Sequence, residues 1–250
     1  MGKRAGFVGS MWFCISGTKV IMNGSSFWIG VGLGFANLFV PISRAEGPTS
    51  RPADPWVFRS VLDNHPRMIT IALHGDMWLA FDAQACVLKK AWAGGVKLTG
   101  SVYDTKHGPQ PTSVGQGYLE VAEAPSWSGS AAGQPVALTA TYRGYVLQGT
   151  GVVLKYDLAF PDGTIASVED APEHATENDR TTLVRKITLR GLGEGRTIDF
   201  AVPGLKAQTL MKIDGVGKLV GSEQPPAAPV VRIDRDGATS LVLSWERSER

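Results

Sequence analysis

VVLKYDLAF, residues 152–160, is the stretch whose reading decides the fold. Val152, Leu154, Tyr156, Leu158 and Phe160 fall on one side of an extended backbone, while Lys155 and Asp157 fall on the other. Side chains alternate between the two faces of a strand, so this pattern suits a half-buried strand. Wound into a helix, it would scatter apolar groups around the axis. Pro161-Asp162-Gly163 then supplies a turn, and residues 164–169 supply a return strand, so the pair predicts a hairpin.

Short β-branched or aromatic runs of the same kind recur at 68–73, 77–82, 87–92, 136–146, 183–189, 197–202, 230–233 and 241–245. Residues 191–195 and 234–237 read as tight connections between them. The 30 Gly and 15 Pro sit singly between the apolar runs, which is turn chemistry and not low complexity. No stretch beyond the N-terminal segment keeps a 3.6-residue apolar stripe. About ten evenly spaced strands without helices predict an all-β antiparallel sandwich, in which two sheets bury one face each. Residues 100–133 carry many Gly and Pro and few strand signals, which predicts a long connection. The alternative is a domain seam there, with a smaller β unit over 55–98.

The N-terminus reads as an export leader. No charged residue occurs from Val20 to Ser43, and Lys3, Arg4 and Lys19 precede the apolar run FWIGVGLGFANLFVPI (27–42). Ser43-Arg44-Ala45 places small residues for cleavage after Ala45. The expected layout is a signal peptide over 1–45, a linker over 46–55 and one β domain over 56–250, in a periplasmic or secreted protein. An uncleaved membrane anchor is the alternative, weakened by glycines, Asn37 and Pro41 in the apolar run. Met22 is an alternative start to Met1, although it would remove the basic residues.

The formal net charge of +2 comes from that leader, which holds Lys3, Arg4, Lys19 and Arg44 and no acidic residue. The remainder is slightly negative and has no basic stripe, so nucleic acid is not an expected partner. Of the two cysteines, Cys14 lies in the leader, which leaves Cys86 alone and without an internal disulfide partner in the mature chain. There is no C-x-x-C-H and no Cys/His set spaced for zinc, so neither haem attachment nor a metal site is expected.

Candidate binding residues concentrate in one span. Trp92, Tyr103, Asp104, His107 and Gln110 combine aromatic platforms with hydrogen-bonding groups, as sugar rings require. The competing account puts the aromatics in the core and stiffens the loop with Pro109 and Pro111. Asp104 and His107 are also the alternative catalytic pair, since a carboxylate and a histidine can share acid and base duty. Glu169, Asp170, Glu173, Glu177 and Asp179 form the densest acidic group, read as solvated loop and spaced unlike an EF-hand. Trp127, among Ser126, Ser128 and Ser130, reads as a turn carrying an aromatic tip. No G-x-S-x-G elbow is present, and no His lies near Cys86 in sequence.

MWLAFDAQACVLKKAW (77–92) is similar to one blade hairpin of a quinoprotein propeller, with Asp82 capping the turn. A propeller needs at least about four such repeats, so a quinone is not expected and an ordinary hairpin is. DPWVFRSVLDNHPRMITIALHGDMWLAFDAQ (54–84) and KAWAGGVKLTGSVYDTKHGPQPTS (90–113) together resemble the N-terminal β module of secreted bacterial c-type cytochrome and sorbosone-dehydrogenase-like proteins. The matching elements are FRS-x-LD, PRM-x-T-x-AL, W-x-A-F-DA, KAW-x-GGV and VYDT-x-HGPQPTS. The resemblance implies an exported redox setting but no catalytic residues. Cys86 departs from it, standing where such turns carry Gly.

The chain lacks the haem motif or propeller that would follow in such proteins, so it is expected to act beside a separate redox partner or as a shortened remnant. The functional expectation is therefore a non-catalytic exported module that binds carbohydrate or docks a separate c-type cytochrome or dehydrogenase. The alternative is a carbohydrate-active hydrolase or lyase using Asp104 and His107.

Overall fold

A computed structural model of the chain describes residues 48–100, 108–123, 127–206, 208–220 and 228–246. The leader expected over residues 1–45 lies outside the described residues. Among those residues every regular element is a strand, so the chain is all-β, and its three antiparallel sheets build a sandwich.

The first sheet is a five-stranded meander of β1 (Trp56–Leu62), β2 (His65–His74), β3 (Met77–Asp82), β4 (Val87–Lys97) and β5 (Thr112–Glu120), paired in chain order. Consecutive strands joined by short turns pair with little loop-closure entropy, which favours this local order. The β3–β4 turn is capped as its sequence predicts: Asp82 Oδ1 accepts hydrogen bonds from Gln84 N at 2.7 Å and Ala85 N at 3.1 Å. Cys86 sits in the left-handed region at φ 55°, a conformation that glycine adopts more freely.

The six-stranded sheet begins with β8 (Thr139–Gln148), β9 (Gly151–Ala159), β10 (Ile165–Glu177) and β11 (Arg180–Arg190). It continues through β16 (Gly237–Glu246) to β13 (Leu210–Gly215). The predicted hairpin is β9 and β10, with Asp162 Oδ1 accepting from Thr164 N at 2.9 Å in the turn. Val152, Leu154, Tyr156, Leu158 and Phe160 are all buried, while Lys155 and Asp157 sit on the opposite face. Each such side chain stabilises the fold by roughly 1.5–3 kcal/mol on burial.

The third sheet collects five strands scattered along the chain, in the order β14 (Gly217–Val220), β15 (Val230–Ile233), β12 (Arg196–Ala201), β6 (Ser128–Ala131) and β7 (Gln134–Ala137). Inner faces of all three sheets meet in one apolar core. Phe81 of β3 and Trp127, next to β6, both pack on Tyr156 of β9, at ring-centroid distances of 5.8 and 5.7 Å. The first and third sheets thus share the job of covering the six-stranded one. The chain from Ala45 to Arg250 forms one compact unit, with no division within 100–133 among the described residues.

Two sequence readings are corrected here. Residues 100–133 are not simply a connection, because β5 and β6 lie within them. The acidic residues 169–177 are strand, not loop: β10 runs on to Glu177 and turns through Asn178 and Asp179, both at positive φ. Within the expected linker, Thr49 N donates to Val96 O at 2.8 Å and Thr49 Oγ1 accepts from Leu98 N at 3.0 Å.

Candidate binding recess at the meeting of three sheets

Strand alternation separates the acidic group that looks continuous in sequence. Glu169 and Glu173 face outward and pair with Lys155 at 3.0 Å and Lys186 at 2.8 Å. Asp170 faces inward and is 1 % exposed. Its partner is Arg185 on β11, a diagonal neighbour, because Asp170 lies opposite Ile187 and Arg185 lies opposite Pro172. Arg185 Nε donates to Asp170 Oδ1 at 3.4 Å and Nη2 donates to Oδ2. Burial opposes the charge on Arg185, but the Asp170 carboxylate outweighs it and raises the guanidinium pKa above its usual value. Nearby Tyr156 is held as the neutral phenol, chiefly by burial and then by the charge of Asp170.

Arg185 lies on the wall of a recess where the three sheets meet. Val87, Leu88 and Leu119 contribute from the first sheet, Leu243 from the six-stranded one, and Phe200, Val202 and Trp127 from the third sheet and its approaches. Its enclosed volume is only about 30 Å³, and the space rises to about 480 Å³ when the open solvent at its mouth is counted. Among the described residues Arg185 is the one charged residue in its lining. Leu88 and Arg185 also line a smaller neighbouring gap that reaches Asp170, Ile71 and Phe81.

Trp127 organises this region and corrects its reading as an exposed aromatic tip. It is 6 % exposed, and its indole Nε1 donates to Ala85 O at 3.1 Å and Cys86 O at 3.3 Å. It therefore pins the β3–β4 turn to the third sheet. Cys86 beneath it is wholly buried, and that burial, helped by the charge of Asp82, pushes the thiol up to about 12. A thiol of that kind stays protonated near neutral pH and is a poor nucleophile. Among the described residues no three His, Cys, Asp or Glu side chains gather as a metal site would require.

The span singled out in sequence divides differently. Tyr103, Asp104 and His107 lie outside the described residues. Gln110 is half-buried just before β5. Trp92 is 1 % exposed, packs on Trp78 at 5.9 Å between ring centroids, and donates from Nε1 to Gly95 O at 2.9 Å. This corrects its reading as a sugar platform: both ring faces are out of solvent. Trp92 also belongs to a separate cluster, with Met68, Ala72 and Trp78, on the face of the first sheet turned away from the recess.

Several residues of the motifs singled out in sequence hold the first sheet together. Asp63 accepts from Lys90 Nζ at 3.1 Å, Ser113 N at 2.8 Å and Ser113 Oγ at 2.6 Å. Gly94 stands opposite Gly115, and a Cβ at Gly94 (φ 122°) would collide with the Val114 carbonyl. These motif positions thus have structural work to do: they close the meander. No family model matches this chain. No curated protein matches it as a relative either.

Asp63 also yields a pH prediction. Burial pulls its carboxyl up, but the bonds from Ser113 and Lys90 together outweigh this and hold it below the usual aspartate value. A depressed carboxyl pKa stabilises the fold in full above the unfolded value, and that contribution fades as pH falls through the folded value. Asp63→Asn, which tolerates the same left-handed backbone, is expected to cost roughly 1 kcal/mol at pH 7. The gap between wild type and variant in urea unfolding should shrink as pH is lowered below about 4. A gap that stays constant with pH would contradict the assignment.

Proposed function

We propose that this chain is an exported, non-catalytic β-sandwich module that docks a separate c-type cytochrome or dehydrogenase of a periplasmic or extracellular redox system. The observation that carries the proposal is the recess: apolar walls from three sheets around one guanidinium whose charge Asp170 already neutralises. Sugar hydroxyls need several paired polar partners, which such a lining does not offer. The tip of an apolar side chain from a partner finds there a mainly apolar recess of the kind that anchors protein interfaces. The resemblance of residues 54–84 and 90–113 to modules of secreted redox proteins supports the setting.

Docking is tested by immobilising the purified protein and measuring retention of haem absorbance from a periplasmic extract of the source cells. Wild type is expected to retain a haem protein, and Leu88→Trp, which fills the recess, is expected to lose at least about tenfold in affinity, or 1.4 kcal/mol. Failure of wild type to retain any haem or dehydrogenase activity would remove the proposal. Carbohydrate binding through Gln110 and residues 101–107 is the second reading. Retarded migration on polysaccharide gels, unaffected by Leu88→Trp, would favour it.

A further inference from the structure

Among the described residues strand β8 is an edge of the six-stranded sheet, pairing only with β9, and its outer half is exposed on both faces. Tyr145, Val146 and Leu147 are exposed by 42, 44 and 55 %. Open strand edges present unpaired backbone groups, and proteins usually guard them with charge, proline or irregular backbone. The other edges among the described residues carry such guards. Strand β1 has Arg59, β7 has Pro135, and β13 has Lys212 paired with Asp214. Strand β14 has Lys218 paired with Asp234. Strand β5 is polar and rich in Gly, and Lys206 Nζ donates to Gly117 O along it.

Strand β8 is guarded only over its first half, by Arg143 and the bulge between Tyr142 and Gly144. From Gly144 to Gln148 it has no charge and no proline. Apolar side chains alternate on both faces of that open stretch.

We propose that this half-strand is a self-association edge, at which two copies pair residues 144–148 antiparallel about a two-fold axis. A second copy suits the strip because it complements itself. With the axis at Val146, Tyr145 stands opposite the copy's Leu147, and Gly144 stands opposite Gln148. Aromatic–aliphatic cross-strand pairs of this kind are favourable. No charge faces its own kind in this register. Arg143 falls opposite Gly149, which has no side chain, and its charge is already met by Asp157 at 2.7 Å. Because the two-fold uses the same edge on both copies, the assembly closes at two and cannot run on into a fibre. The six-stranded sheets then become one continuous sheet across the dimer. This inference is independent of the recess.

Sedimentation velocity over a concentration series, with substitutions at the axis, tests it. Wild type is expected to pass from monomer to dimer with rising concentration. Val146→Lys and Val146→Glu, at an exposed position, should keep the wild-type melting temperature while dimerising at least about tenfold more weakly, since like charges then face each other. An equimolar mixture of the two variants should restore the dimer, because Lys then faces Glu. Monomeric wild type at every concentration would overturn the proposal, as would a dimer untouched by Val146→Lys. Failure of the mixture to reassociate would also overturn it, since only pairing through Val146 predicts that rescue.

Discussion

Asp170→Ala is expected to destabilise the domain by about 3–5 kcal/mol, measured by urea unfolding. The loss arises because Arg185, which is 7 % exposed, would keep its charge in the core with no carboxylate to meet it. Breaking one partner of a buried pair costs far more than the pair's own net contribution, since desolvation of both ions offsets most of their attraction. The double variant Asp170→Leu with Arg185→Met should therefore recover most of the lost stability. A single-variant loss under about 1 kcal/mol would mean that Arg185 reaches water and that the recess floor is open and wet.

Trp92→Ala has the second large expected effect, a loss of about 3–5 kcal/mol from the cavity it leaves. The indole fills space against Trp78 and ties the β4 backbone to itself through Gly95 O. Thermal unfolding checks this. A solvent-facing ligand platform would leave the melting temperature unchanged on truncation, and that result would return Trp92 to the binding residues. Trp92→Phe, which keeps most of the volume and loses the hydrogen bond, should cost substantially less.

The strands whose apolar residues alternate cleanly were legible in sequence. Residues 152–160 gave their faces correctly, and Asp82 and Asp162 marked turns that their carboxylates do cap. What escaped was long-range. The third sheet pairs β6 and β7 with β12, β14 and β15, and no local pattern states which distant strands will meet. Strand β10 was cut short because Glu169, Asp170 and Glu173 read as solvated loop. The signal was nonetheless present, since Ala166, Val168, Asp170 and Pro172 share one parity, as do Leu183, Arg185, Ile187 and Leu189. One acid and one base at interior positions of adjacent strands is the mark of a buried pair. Trp127 and the recess are not legible in sequence, because the recess walls come from sheets that meet only in three dimensions.

Hydrogen exchange on the protein, free and bound to a haem protein it retains, tests the binding recess most directly. Protection is expected at Val87–Leu88, Leu119 and Phe200–Pro203, where the three sheets converge. Protection confined to residues 101–110, with the recess exchanging as in the free protein, would contradict the account.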